Sequence, residues 1–421
     1  MKKHPLAPDR TRRRLLTTAA GFAASAAWAG LANAQQPRPA QPRPANPPRR
    51  PAEPAPPAVT SLPNGFPWIE TQAGFAYVMD AGTGAVLLDK NASQRMFPSS
   101  MTKLMTVYLV FEKLAKGELK MEDTLLVSEN AWRKGGSKMY VEVNTRVRID
   151  DLLRGAIVSS GNDACIVLAE GLAGSEEKFA ELMTAKAAAI GMTDTNYKNS
   201  SGWPADDHYS TCRDLAILAR RTIEDFPQYY PIYAEREFRY GGISQPNRNT
   251  LLSRSSGTDG LKTGHTEAAG FGITVSVVRQ GRRIVMVLNG MASMRQRSTE
   301  AERITDWAYR EFENYTLFKA GEEIEKADVW LGVEKQVALT TAAPLVITLP
   351  RKFRKDMKVT LAYNGPLSAP VTKGATVAKL VVSAPSVDPV ELPLVAGANV
   401  AQLTGFGKIR EVAMLKIFGT R

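Results

Sequence analysis

The chain has 421 residues, long enough for more than one domain, and a formal charge of +12, but ten Lys and Arg against two acids in residues 1–67 carry +8 of that. The remaining +4 comes with no recognisable nucleic-acid motif, which argues against a nucleic-acid partner. Two cysteines, Cys165 and Cys212, exclude a disulfide scaffold; three histidines, His4, His208 and His265, with no His-Glu-x-x-His helix, disfavour a catalytic zinc, so neither metal nor cofactor is expected.

Residues 1–34 read as an export signal: Lys2, Lys3, Arg10, Arg12, Arg13 and Arg14 precede an Ala- and Gly-rich apolar run over residues 15–31, and Ala32-Asn33-Ala34 forms a small-residue cleavage site. Thr11-Arg12-Arg13-Arg14-Leu15-Leu16 also resembles a twin-arginine signal, which leaves the twin-arginine and Sec routes both open. Either route delivers the chain to the periplasm or the outer face of the cytoplasmic membrane. Residues 35–67 hold twelve prolines and few large apolar side chains, so they form an extended spacer rather than a core.

A mixed α/β domain is expected over residues 68–314. Residues 74–79 and 85–88 read as a strand pair around the turn Asp80-Ala81-Gly82-Thr83-Gly84. Residues 98–224 read as mainly helical, and 104–114 are apolar nearly all round, the mark of a helix buried at a domain centre. Strand signals return at residues 272–278 and 283–288, so early and late strands should share one sheet flanked by helices. A small all-β domain is expected over residues 315–403, from the alternations Leu345/Ile347/Leu349 and Met357/Val359/Leu361/Tyr363 and the turns Asn364-Gly365-Pro366 and Lys373-Gly374. In the last segment, residues 404–421, Phe406, Ile409, Ala413 and Ile417 recur at helical spacing; this amphipathic segment either lies on the membrane surface or docks on its own domain. Cys165 and Cys212 are expected as buried free thiols.

Three motifs carry the chemistry. Ser100-Met101-Thr102-Lys103 puts a hydroxyl and an amine three positions apart, neighbours on one helix face. Ser175-Glu176-Glu177-Lys178 fits the same pattern, but a capping Ser before an acidic first turn explains it better. Context separates the two: Phe97-Pro98-Ser99 turns into the helix, Ser99 is placed to cap it, and Ser100 enters its first turn ahead of the buried stretch. Ser160-Gly161-Asn162 and Lys262-Thr263-Gly264 follow in order, the latter leading into an expected strand.

This ordered set resembles the group of penicillin-binding proteins and serine β-lactamases. Residues 68–421 are similar to the low-molecular-weight penicillin-binding proteins of the serine D-alanyl-D-alanine carboxypeptidase family, through residues 97–103, 160–165, Ser201-Gly202-Trp203-Pro204 with His208-Tyr209-Ser210, and residues 259–266. The resemblance implies a penicillin-binding/β-lactamase-like domain followed by a small all-β domain, peptidoglycan stem peptides ending in D-Ala-D-Ala as substrate, and β-lactams as inhibitors. Ser100 is then the acylated nucleophile. Its base must be an amine, because no His or carboxylate accompanies the motifs, and Lys103 is the candidate. Burial and a second cation at Lys262 should lower its pKa from the ordinary value near about 10.4. Ser160 relays a proton to the departing amine, and Asn162 holds Lys103 and the substrate amide.

The resemblance further implies that the backbone amides of Ser100 and His265 bind the oxyanion and that Arg297 joins Lys262 and Thr263 on the substrate carboxylate, with Arg295 close enough to compete. Gly264, also expected among the substrate-binding residues, lets the peptide backbone approach the strand closely. A β-lactamase is disfavoured because no Glu-x-x-Leu-Asn lies between Ser160 and Lys262. A D,D-endopeptidase with the same residues is weighed against by the added β domain, and a non-catalytic wall-binding scaffold by the intact motifs.

Overall fold

The computed structural model describes residues 67–385 and 387–418, with side chains as far as Ala413. The export segment expected at residues 1–34, and the spacer at 35–67 apart from Pro67, lie outside the described residues.

β1 (Phe75–Asp80) and β2 (Val86–Lys90) form the expected hairpin. Asp80 Oδ1 closes its turn by accepting the N–H groups of Gly82 and Thr83 at 3.0 and 2.9 Å. The helical region follows as α1 (Lys103–Ala115), α2 (Glu129–Arg133), α3 (Ile149–Ile157), α4 (Asn162–Ala173), α5 (Glu176–Ala189) and α6 (Cys212–Asp225). It is interrupted by a short ribbon that the helical reading did not include, β3 (Thr124–Leu126) with β4 (Arg146–Arg148), and by a loop over residues 191–211. At the start of α5, Ser175 Oγ accepts the Lys178 N–H, which accounts for the second Ser-x-x-Lys as a helix cap.

Next come β5 (Glu237–Tyr240), β6 (Ile243–Pro246), α7 (Leu251–Arg254), β7 (Thr258–Thr266), β8 (Gly270–Arg279), β9 (Arg282–Met291) and α8 (Met294–Glu311). The main sheet is antiparallel with order β2-β1-β9-β8-β7, so the early hairpin and the late strands do share it. Alternate residues face opposite ways along a strand. Tyr77, Met79, Val285 and Val287 join the core with α1, while Ala76, Val78, Ile284, Met286 and Leu288 pack against Ala301, Ile304 and Trp307 of α8. α1 is buried on nearly every side; Leu104, Met105, Val110 and Phe111 are all 0% exposed. Each such side chain contributes roughly 1.5–3 kcal/mol of burial.

Lys262-Thr263-Gly264 itself lies inside β7, in register with Thr274, Ile273 and Gly272, and leads on into β8, the strand expected at residues 272–278. Gly264 is what conceals this, because a glycine reads as a turn in sequence yet pairs here as strand. β7 is the edge of the sheet, so its side away from β8 has no strand partner.

β10 (Phe312–Phe318), β11 (Glu323–Trp330), β12 (Gln336–Thr340), β13 (Leu345–Pro350), β14 (Lys358–Ala362), β15 (Leu367–Ser368), β16 (Thr376–Ala384) and β17 (Val387–Ala396) follow, before α9 (Gly405–Phe418). They form a pair, β10-β13, and a sheet of order β14-β16-β17-β12-β11-β15. The Leu345/Ile347/Leu349 row is buried. The second alternation differs: Val359 and Tyr363 are exposed, because β14 is an edge strand. In α9, Phe406 (86% exposed) and Ile409 (66%) face outward, while the domain is met by half-buried Val412 and by Glu411, which pairs with Lys335 at 2.6 Å.

Candidate active site

Ser99–Thr102 forms a 3-10 turn that runs into α1 and carries Ser100. Ser99 does not cap the helix. The residue before the turn is Pro98, without a side-chain cap, and Ser99 sits at φ 48°, in the left-handed region, where its hydroxyl meets Thr266 Oγ1 at 3.1 Å instead. That contact ties the turn to the edge of β7. Gly264 serves the same junction: a Cβ there would lie 2.9 Å from the Pro98 carbonyl oxygen and 3.2 Å from Ser99 Cβ. This turn of the chain therefore packs directly against Gly264. Gly202, at φ +80°, is still tighter, since a Cβ would fall 1.8 Å from the Ser99 carbonyl oxygen.

Lys103 is fully buried at the first turn of α1. Its Nζ lies 2.8 Å from Ser100 Oγ, 2.8 Å from Asn162 Oδ1 and 2.6 Å from the Ser201 carbonyl oxygen. Burial pushes its pKa down to about 8, and Arg248 adds to the effect. Arg248 thus joins Lys262, the cation that sequence reasoning named, as a positive charge close to Lys103. Lys262 is itself pushed well below the ordinary lysine range, first by burial and then by the charge of Lys103.

Ser160 and Asn162 flank Gly161, the residue that leads into α4. Ser160 has φ 59°, and its Oγ accepts from Lys262 Nζ at 2.9 Å. Asn162 Nδ2 donates to the Gly135 carbonyl at 2.9 Å, which fixes the amide so that Oδ1 points at Lys103. Asp163, next in sequence, accepts the N–H groups of Met139, Tyr140 and Val141 and holds that loop against α4. Ser100, Lys103, Asn162, Ser160 and Lys262 thus fall into two hydrogen-bonded groups joined through the Ser160–Asn162 turn.

On α8, Arg297 is 3% exposed and its Nε is buried without a partner, while Arg295 is exposed. Burial, then Arg248, brings the Arg297 pKa down to about 10. Geometry therefore favours Arg297 over Arg295 as the cation set into the site. Arg248 was missed by sequence reasoning. It lies in the loop before α7, donates from Nε to the Ser159 carbonyl at 3.3 Å, and takes Arg297 Nη2 on its own carbonyl at 3.3 Å. A lone loop arginine carries no motif, so its signal was absent. Thr263 is buried in β7, whereas His265 is exposed and stacks its ring on Phe271 at 3.9 Å. A cavity of about 230 Å³ bounded by Phe97, Ser99, Gly202, Trp203 and Thr266 opens beside the nucleophile turn. Among the described residues no cluster of His, Cys, Asp and Glu is arranged to hold a metal, and Cys165 and Cys212 are buried free thiols.

Comparison with known proteins addresses the same residues. A family model described as D-alanyl-D-alanine carboxypeptidase matches residues 60–292, and one described as penicillin-binding protein 5, C-terminal domain, matches residues 312–402. The D-alanyl-D-alanine carboxypeptidase DacC of Escherichia coli (strain K12) is 35% identical over 347 residues, covering 80% of this chain and 87% of the relative. The crystal structure of penicillin binding protein 5 from Haemophilus influenzae superposes with a TM-score of 0.75 at 33% identity, over 79% of this chain and 99% of that one. Penicillin-binding protein D2 from Listeria monocytogenes in its ampicillin-bound form matches at a TM-score of 0.53 and 27% identity, over 58% of this chain and 99% of that one. With a buried lysine on the serine of its first motif, and with matches that run through both the mixed and the all-β parts, the chain belongs to the serine D-alanyl-D-alanine carboxypeptidases.

Proposed function

We propose that this chain removes the terminal D-alanine from peptidoglycan stem pentapeptides by forming an ester on Ser100, with Lys103 as the base. One observation carries the assignment: a fully buried amine, its pKa lowered to about 8, lies 2.8 Å from the Ser100 hydroxyl. Its neutral fraction near neutral pH is enough for a general base, which typically contributes 10²- to 10⁴-fold. Lys103 takes the hydroxyl proton as Oγ attacks the penultimate carbonyl carbon, and the N–H groups of Ser100 and His265 receive the oxyanion. As the C–N bond breaks, the proton taken up by Lys103 is relayed through the hydroxyl of Ser160, hydrogen-bonded to Lys262, to the leaving D-alanine nitrogen, which leaves Lys103 neutral again. Water then hydrolyses the ester and restores the Ser100 hydroxyl. Arg297, Arg248, Lys262 and Thr263 form the cationic, hydroxyl-bearing receptor for the terminal carboxylate, supported by the unpartnered buried Nε of Arg297. A β-lactam offers the same carbonyl in a ring, so its opened product remains on Ser100.

The test is release of D-alanine from a stem pentapeptide, run beside a cross-linked dimeric substrate and nitrocefin. Ser100→Ala should abolish release, and intact-mass measurement after ampicillin should show an adduct on the wild-type chain alone. Cleavage of the dimer in preference to the pentapeptide would replace carboxypeptidase with endopeptidase, and rapid nitrocefin turnover would replace it with β-lactamase.

Export through residues 1–34, a spacer at 35–67, and peripheral contact of residues 404–421 with the outer face of the inner membrane belong to the same reading. The outward Phe406 and Ile409 support the contact, and among the described residues no helix is long and apolar enough to span a bilayer. Vesicle co-sedimentation should weaken for Phe406→Ser/Ile409→Ser; unchanged binding would remove the membrane from the proposal.

A further inference from the structure

His208 touches no group assigned to the reaction, yet it is 3% exposed and fixed on both ring nitrogens. Nδ1 accepts the Lys198 N–H at 3.1 Å, so the ring proton resides on Nε2, which donates to Thr102 Oγ1 at 2.9 Å. Burial holds the ring neutral, with its pKa pushed down to about 4, and Tyr197 packs edge-on against it at 5.7 Å. Thr102 is the third residue of Ser100-Met101-Thr102-Lys103. The hydrogen bond therefore clamps the loop over residues 191–211 to the turn that carries the nucleophile.

Between the Lys198 and His208 attachments, that loop coils around Asn199, whose Oδ1 accepts the N–H groups of Ser201, Gly202 and Trp203 at 3.2, 2.8 and 3.0 Å. Thr106 Oγ1 donates to the Ser200 carbonyl at 2.6 Å, and Gly202 fits against the Ser99 carbonyl where no Cβ has room. The consequence is the position of the Ser201 carbonyl, 2.6 Å from Lys103 Nζ.

A neutral lysine amine has two hydrogens and one lone pair. Of its three neighbours, Asn162 Oδ1 and the Ser201 carbonyl only accept, so they take the two hydrogens, and the lone pair is left for the Ser100 hydroxyl proton. We propose that His208 is a positioning residue for this base: its bond to Thr102 holds the Ser201 carbonyl where it aims the Lys103 lone pair at Ser100. The inference rests on Lys103 acting as the base.

The experiment measures ampicillin acylation of the full chain, separating the acylation rate constant from the dissociation constant of the encounter complex, alongside thermal melting. His208→Phe keeps an aromatic ring, slightly larger than imidazole, and removes both hydrogen bonds. It should lower the rate constant roughly 10- to 100-fold, the scale of a small misplacement near the reacting atoms, and leave the dissociation constant within about twofold. His208→Gln, which can still donate to Thr102, should recover most of the rate. Thr102→Val, which keeps the side-chain shape but removes the acceptor, should lose rate in the same sense where melting shows it folded, and its combination with His208→Phe should add little further loss. Wild-type rates in Thr102→Val, a loss confined to the dissociation constant, or independent losses that multiply in the double variant would overturn the clamp. If the wild-type chain takes no ampicillin on Ser100, the base assignment and the clamp fall together; if it does and the folded variants match it, the clamp alone falls.

Discussion

The part of the chain before β10 and the part from β10 onward bury different things. Before β10, Lys103, Lys262, Ser160, Asn162 and Asp163 are all 6% exposed or less. From Phe312 onward, the buried polar side chains among the described residues are Thr341 and Thr348, and the interior is built from Ala327, Val337, Leu339, Leu380 and Leu394. Two lysines and an arginine held away from water cost stability. The first region tolerates that cost because each charge meets acceptors or faces the site; the second has an ordinary apolar core. Desolvated charges gathered in one region, and absent among the described residues of the other, separate reaction from scaffold without reference to any motif.

That contrast can be broken at both ends. The largest effect should come from Lys103→Met, which should cut D-alanine release by about 10²- to 10⁴-fold, measured as kcat. Melting should change little in comparison, since removing a desolvated ammonium offsets the acceptors it leaves behind. Leu394→Ala, at a 0% exposed position of the second core, should do the reverse. It should cost about 2–5 kcal/mol of β-domain stability by denaturant titration, with kcat on a soluble pentapeptide unchanged. A matching loss of kcat would show that the two regions are coupled.

The pH profile sharpens the first region. Lys103 works as the free base with a pKa of about 8, so acylation should rise with pH and level off above that value. Below it the rate should fall about tenfold per unit, near a hundredfold by pH 6; a rate flat between pH 6 and 8 would exclude a titrating amine. Asp163→Asn removes a carboxylate that accepts backbone N–H groups of the loop beside Asn162, and should cost about 1.5–3 kcal/mol of stability by thermal melting. The smallest change is expected at the exposed Lys335–Glu411 pair, where Lys335→Ala should cost less than about 1 kcal/mol.

The elements that sequence reading located best are those with local causes. The hairpin at Asp80–Gly84 follows from turn chemistry within five residues, and α1 follows from an apolar run whose period is set by the helix itself. Ser175 announced its cap in the same way, through an acidic turn next to it. Ser99 gave the same local signal and did something else, because Thr266, far along the chain, competed for its hydroxyl. The serine and lysine of the first motif were legible because helical spacing alone makes them neighbours.

The amino-acid order by itself determined which side chains could supply a nucleophile and an amine base, and that a single continuous helical turn makes them neighbours, since both facts depend on spacing along a single segment. Tertiary structure alone decided that Lys103 loses its water, that Arg248 and Arg297 converge, and that Gly264 and Gly202 admit neighbouring backbone. It also decided that a main-chain carbonyl, Ser201, completes the surroundings of the base. The reason is physical: desolvation, charge proximity and close backbone approach are properties of groups brought together from distant segments, and a peptide carbonyl looks the same at every position of the sequence.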